Sequence, residues 1–369
     1  MAAVGFQNVS RLSIKRQLND LLFHSRHSPS PQHQTQSVRC SVRSFCALKW
    51  NKVNKHRLLS YHSYIMPKPM HLREGNKASI SPSFGCGGED SFFTTKKNEQ
   101  LFVGVADGVG SWKPQKAKDA ARYSQELMRS AARFTMNGDD HNTSNGEDSN
   151  NAPRSMAHFA WHRVSETLQF DGASTLCLVH IGELLEDDGA FQCRLDAFNL
   201  GDSGFSVYRH LNDNQMDADY GLIYKSPAQE QGFGIPYQLG SHPTANRVDD
   251  GHSVTRLLLK SMDIVVVGSD GLWDNLWDHE MAQIIGDSMA SYHRQWNENG
   301  NSKGLSFGNF VHRQIVGGGL THKIMKEAYL SSIDRKKSTP WSVSMTDTVD
   351  MVYDGGKPDD ITCVVVFIH

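Results

Sequence analysis

From Ile80 onward, short apolar runs alternate with polar turns, and the period of the pattern changes between two and about three and a half. Runs at 101–107, 174–181, 193–202, 204–210, 255–260, 263–270 and 361–368 predict strands. Two of these, DIVVVGSD and ITCVVVFI, are almost continuously apolar, as expected of strands covered on both faces. Apolar residues recurring every three or four positions predict helices over 116–134, 156–168, 278–291 and 308–331, with Asp278 as the N-cap of the third. Consecutive strands with short connections favour antiparallel pairing with the helices packed outside. The expected class is therefore α+β, a sandwich of mainly antiparallel sheets flanked by helices. Two polar insertions interrupt it, one over 137–153, where Ala152 is the lone apolar residue, and one near 295–306. No internal repeat or sustained heptad is present.

The leading segment follows different rules. Residues 1–73 carry twelve Lys and Arg side chains against a single acid, Asp20, although the whole chain has a formal charge of −2. In VSRLSIKRQLNDLLF, Val9, Leu12, Ile14, Leu18, Leu21 and Leu22 fall largely on one helical face, away from Arg11, Lys15 and Arg16. A basic amphipathic helix of this kind suits import into an energised organelle, because a negative interior draws positive charge inward. The expected organisation is a targeting segment over 1–70 and a catalytic domain over 71–369, destined for the mitochondrial matrix or, with similar composition, a plastid. Import machinery is then an implied partner. A basic tail that binds acidic partners is the competing reading of the same residues. No apolar run approaches the length of a membrane span.

Six cysteines, Cys40, Cys46, Cys86, Cys177, Cys193 and Cys363, form no CxxC pair and no zinc-type spacing, so reduced thiols are expected. No C-x₅-R loop surrounds any of them, which excludes a cysteine-phosphate mechanism. No P-loop and no EF-hand pattern occurs.

Candidate chemistry lies in four carboxylate motifs at predicted strand ends: GGEDS (87–91), VADGVGSW (105–112), GSDGLWDN (268–275) and KPDDIT (357–362). Taken singly, an Asp-Gly pair is an ordinary turn. Converging carboxylates, however, repel one another unless cations neutralise them. Oxygen ligands without nearby histidine or cysteine point to hard ions, Mg²⁺ or Mn²⁺, and a pair of them can serve phosphoryl chemistry.

The order of motifs, ED, strand-DG, GAST (172–175), LGDSG (200–204), strand-SDGLWD and a terminal DDIT strand, resembles the PP2C-type (PPM) metal-dependent serine/threonine phosphatases across about 84–368. Val105–Trp112, Asn199–Phe205 and Asp354–Thr362 are most similar to the mitochondrial T-cell-activation PP2C homologue branch. The resemblance implies a PP2C-like sandwich with two metal ions per site. It implies metal ligation by Asp90, Asp107, the Gly108 carbonyl, Asp270 and Asp359, and a third, weaker metal at Asp202. Glu89, Asp90, Asp107 and Asp270 would be the catalytic residues, with Asp360 less suited than Asp359 to ligation. The implied activity is hydrolysis of phosphoserine and phosphothreonine in organellar phosphoproteins by a metal-activated water, in a monomer with no nucleic-acid partner. Two departures stand out: Val109 occupies the place of a common general-acid histidine, and Gly85 and Cys86 that of a phosphate-binding arginine. Lys96, Lys97, Lys113 and Arg247 are candidate replacements for that arginine. The departures leave a catalytically weak PP2C-fold binding or regulatory protein as the alternative, and ligand types alone also admit a hydrolase of small phosphoesters.

Overall fold

The structure is a computed structural model that describes residues 59–369 apart from 74–77, 82, 98, 111–116, 137–150, 169–170, 188–189, 213–218 and 301–305. The targeting helix, Trp112, Lys113 and most of the first polar insertion therefore lie outside the described residues.

Two sheets account for most strands. The first comprises β1 (Leu59–Met66), β9 (Gly204–His210), β10 (Tyr220–Lys225), β15 (Ile264–Gly268) and β16 (Ile361–Ile368), in the order β1-β16-β15-β9-β10. The second comprises β2 (Ser79–Ile80), β3 (Phe84–Gly87), β4 (Asp90–Lys97), β5 (Gln100–Asp107), β7 (Leu176–Asp187), β8 (Ala190–Leu200) and β14 (His252–Leu259), in the order β14-β8-β7-β5-β4-β3-β2. Neighbours pair antiparallel throughout both sheets. Short ladders are made by β6 (Ala173–Ser174) with β13 (Leu239–Gly240), and by β11 (Glu230–Gly232) with β12 (Ile235–Pro236).

Helices are α1 (Pro69–Arg73), α2 (Ala117–Met136), α3 (Ala152–Thr167), α4 (Asp270–Trp273), α5 (Asp278–Gln295), α6 (Phe307–Val316), α7 (Gly319–Ile333) and α8 (Pro340–Val349). The period-two alternation of the strands builds the core between the sheets. Val265 and Val267 of β15, and Val364, Val366 and Ile368 of β16, meet Phe92, Val103, Val105 and Val179 of the second sheet. The opposite faces are also covered: Phe93, Leu178 and Phe198 pack under Tyr123, Leu127 and Met128 of α2 and Met156 and Ala160 of α3. β15 and β16 are buried at every position, which accounts for their continuous apolar runs. The α+β sandwich is as expected.

Three local expectations are corrected. Residues 59–66, assigned from sequence to the leading segment, form β1 and pair along their whole length with β16, so a boundary at 70/71 would cut the sheet. The single helix expected over 308–331 is two, α6 and α7, parted at Gly317–Gly318, where Gly318 has φ +80. Helix α5 is capped by Trp277, whose N–H donates to Glu280 3.0 Å away, and Asp278 is its first helical residue.

Candidate active site

Strand ends from both sheets converge on one cavity of about 320 Å³. Asp107 closes β5, Asp90 opens β4 directly opposite it in register, and Asp202 follows β8. From the first sheet, Asp270 follows β15 as the first residue of α4, and Asp359 stands two residues before β16. Glu89, Asp107, Asp202, Asp270 and Asp359, all named from sequence, line the cavity. Glu230 and Asp274 join them, so seven carboxylates face two lysines, Lys68 and Lys357.

Backbone geometry fixes the carboxylates from behind. The Asp107 N–H donates to Thr175 Oγ1 at 3.0 Å, and its carbonyl accepts from Ser174 Oγ at 2.8 Å and from the Thr175 N–H at 2.9 Å. Gly108 donates its N–H to the Glu89 carbonyl at 3.0 Å, and a side chain there would put Cβ 2.5 Å from the Ala120 carbonyl oxygen. Only glycine permits that approach. Asp90 is fully buried and does not line the cavity. Its Oδ2 accepts from Ser269 Oγ (2.7 Å) and Thr362 Oγ1 (2.6 Å), while Oδ1 finds no partner.

Asp360 is a strut. Its oxygens accept from the Lys68 N–H (2.7 Å) and the Glu89 N–H (2.8 Å) and meet His71 Nδ1 at 3.1 Å. His71, Glu89 and Asp360 do bring ligand atoms within 4.8 Å of one another. Asp360 is nonetheless committed to two backbone donors, and Glu89 Oε2 to Lys68 at 3.0 Å, so this trio holds the loop and the cavity-facing carboxylates remain the better cation site.

The electrostatics follow from crowding. Burial, followed by Asp90, Asp270, Asp359 and Asp202, pushes Asp107 well above the ordinary carboxylate range. Burial together with Asp270 raises Asp202 and Asp359, and burial together with Asp360 raises Asp90. Burial lifts Asp274 to about 7, against the pull of Lys357. At Asp270 burial also opposes ionisation, but its ion pair with Lys357 prevails and holds the carboxyl below its ordinary value. Lys357 also reaches Asp274 at 2.8 Å and Asp359 at 3.3 Å, and Lys68 reaches Asp359 at 3.4 Å.

A cation fits this donor set. The cavity is lined by oxygen donors in excess of the lysines, and Oδ1 of both Asp202 and Asp270 is buried without a partner. Orphaned carboxylate oxygens in a hard-donor cluster are what Mg²⁺ or Mn²⁺ would satisfy.

Sequence reasoning missed Lys68, Lys357 and Asp274. Asp274 lies four residues after Asp270, one helical turn on, and its N–H donates to the Asp270 carbonyl at 2.7 Å. That spacing was a usable signal. Of the cations named in advance, Lys113 is outside the described residues and the other three lie elsewhere: Lys96 and Lys97 occupy the end of β4 remote from Asp90, and Arg247 is exposed beside the 3₁₀ turn Val248–Asp250. Val109 does line the cavity, so the apolar residue in place of a histidine faces the site. Trp273 is buried, its Nε1–H donating to the Gly268 carbonyl at 3.0 Å.

No family model matches the chain. It is 28% identical over 282 residues to probable protein phosphatase 2C 80 of Arabidopsis thaliana, covering 76% of this chain and 55% of that protein. It is 32% identical over 209 residues to the protein phosphatase PTC7 homolog fig of Drosophila grimshawi, covering 54% and 59%. The matches thus span little more than half the length of these two relatives. The X-ray structure of the photosystem II phosphatase PBCP superposes with a TM-score of 0.55 at 21% identity, over 84% of this chain and 99% of that one, which shows a common fold.

Proposed function

This chain is related to the PP2C-type phosphatases in sequence and has their fold, and from that premise we propose that it hydrolyses phosphoserine and phosphothreonine in proteins. The observation that carries the reading is the cavity itself, where seven carboxylates face two lysines and Asp202 and Asp270 keep unpartnered oxygens. Asp107, the Gly108 carbonyl, Asp270 and Asp359 would hold a pair of Mg²⁺ or Mn²⁺ ions. Glu89 and Asp90 would support them, and Asp202 would hold a further, weaker ion. Such ions supply a nucleophilic water at neutral pH and offset charge on the phosphoryl oxygens.

The side chains of the chain do the rest. Ser174 and Thr175 lock the backbone that presents Asp107, Ser269 and Thr362 orient Asp90, and Asp360 fixes the Glu89 loop. Lys68 and Lys357 place two ammonium groups on the cavity wall. Their carboxylate partners are the groups that cations neutralise, which leaves the ammonium protons for phosphate oxygens. With Val109 apolar, the departing serine or threonine oxygen takes its proton from water or from another group on the wall.

The alternative, a PP2C-fold binding protein without turnover, gains nothing from this arrangement, because carboxylates that repel one another without cations serve no packing purpose. We also propose that the basic residues preceding β1, in which Asp20 is the single acid, direct the protein to the mitochondrion. The test of activity is release of phosphate from phosphoserine and phosphothreonine peptides with Mn²⁺, alongside the same assay on Asp270→Asn. Turnover that survives that substitution, or none at all with metal bound, would overturn the proposal.

A further inference from the structure

The carboxylate cavity has a second, apolar wall. Phe233 and Trp341 line the same space as Asp107, Asp270 and Asp359. Phe233 sits at the tip of the β11–β12 hairpin beside Gly234, which has φ +68 and open space around it. Trp341 opens α8. The two rings lie 6.4 Å apart, and Tyr353 meets Trp341 edge-on at 5.0 Å, which extends the row outward.

This wall is tied rigidly to the site. The backbone N–H of Trp341 donates to the backbone carbonyl of Asp274 at 3.1 Å, which ties the start of α8 to a residue of the cavity. Thr339 caps α8, its hydroxyl accepting from the Ser342 N–H at 3.2 Å. The Tyr353 N–H donates to Thr346 Oγ1 at 2.9 Å, which folds the following segment back onto the helix. Large apolar side chains left in water concentrate here: Val343, Val349, Met351, Val352 and Tyr353 are five of the twelve exposed ones among the described residues. Exposed apolar side chains beside a polar cleft are a candidate binding surface.

We propose that Phe233, Trp341 and Tyr353 receive a large apolar side chain adjoining the phosphorylated residue of the substrate, so that the enzyme selects phosphosites flanked by such a residue. The inference rests on the phosphatase reading, and continuity of the cavity supplies its argument. On this side of the cavity a phosphate held at the carboxylates brings the neighbouring substrate residues against a wall of Phe233, Pro236, Pro340 and Trp341. A volume of about 320 Å³ is about 7 Å across, the span of about two extended residues, so the selected position lies within about two of the phosphoserine.

The test uses the full chain with Mn²⁺ and phosphoserine peptides that carry leucine, phenylalanine or glycine at each position from two before to two after the phosphoserine. At one position at least, the large apolar residue should raise kcat/KM about tenfold over glycine, the scale expected when an apolar group fills such a pocket. In Trp341→Ala and Phe233→Ala that ratio should fall below about threefold. Being a ratio within one preparation, it is insensitive to partial loss of folded protein, and Tyr353→Ala, at an exposed residue, gives a third variant. Hydrolysis of all the peptides without preference, or a preference unchanged in the variants, overturns the aromatic wall and leaves the phosphatase reading standing. No hydrolysis of any peptide overturns both.

Discussion

At the scale of residues, the balance between carboxylates and lysines governs the site. Lys68 pairs with Glu89 and Asp359 from the connection after β1, and burial alone would lower its ammonium, yet Asp359, Asp360 and Glu89 outweigh burial and hold it above its ordinary value. It is charged at every physiological pH and stands where a phosphate needs a donor. Charge-assisted hydrogen bonds contribute about 1.5–3 kcal/mol, so Lys68→Met should lower kcat/KM for a phosphopeptide about tenfold or more, chiefly through KM, and Lys68→Arg should restore most of it. Steady-state kinetics at fixed Mn²⁺ check this, and an unchanged KM would remove Lys68 from phosphate binding. Lys68 was illegible in sequence for a physical reason. It is one of twelve bases in a segment read by its overall charge, and only the pairing of β1 with β16 brings it to the carboxylates. Asp107 and Asp270 were legible because a strand leading an aspartate into a glycine turn is a local pattern, and Asp359 because KPDDIT sets it just before an apolar strand. Lys357 lay inside the KPDDIT motif and was passed over because carboxylates were the signal sought.

At the scale of elements, a single buried glycine sets the break between α6 and α7. Gly318 adopts φ +80, and a Cβ there would lie 2.7 Å from His62 Nε2 and 2.8 Å from His322 Cε1. A left-handed backbone costs an L-residue about 1–2 kcal/mol, and the crowding against the buried His62 ring and the half-buried His322 ring adds to it, so Gly318→Ala should destabilise the protein by about 2 kcal/mol or more. Urea unfolding would show a lower midpoint at an unchanged slope, and an unshifted midpoint would refute the strain. Apolar periodicity ran through this joint because Val311, Ile315, Leu320 and Ile324 are buried on both sides of it, and two helices packed on one sheet keep one apolar rhythm. Strands were read more faithfully than helix ends: β9 and β16 match their expected limits residue for residue. Strand β1 escaped because LSYHSYIM is half polar, and its Ser60 and Ser63 are buried by tertiary contacts that no local pattern announces. Helix α8 escaped for the same kind of reason, since PWSVSMTDTV has little apolar periodicity and is set by its Thr339 cap and first-turn proline.

At the scale of the whole molecule, two antiparallel sheets bring their strand ends to one edge, and the site concentrates charge that the fold can hold only with help. The carboxyls of Asp90, Asp107, Asp202, Asp274 and Asp359 are all raised by burial. Between the unfolded value of 3.8 and the value of about 7 reached at Asp274, the folded protein therefore binds more protons than the unfolded chain. At Asp274 the stabilising effect is complete below pH 3.8 and is lost as pH rises through about 7, and the other four carboxyls act in the same direction. Buried histidines act oppositely. His62 is lowered by burial to about 4 and His369 to about 3, so folding gains stability as pH rises from there to 6.5. The histidines lie outside the cavity, and divalent cations act on the carboxylates alone. Saturating Mg²⁺ or Mn²⁺ should therefore raise Tm by several degrees at pH 7.5, where about 100 times Kd contributes about 2.7 kcal/mol, and by less at pH 5, where protons compete for the raised carboxyls. Calorimetric scans with and without the metal at the two pH values separate the contributions, because the histidine term is common to both curves. A Tm gain equal at pH 5 and pH 7.5, or abolished by none of Asp107→Asn, Asp270→Asn and Asp359→Asn, would show that the cation binds elsewhere and that the converging strand ends are not its site.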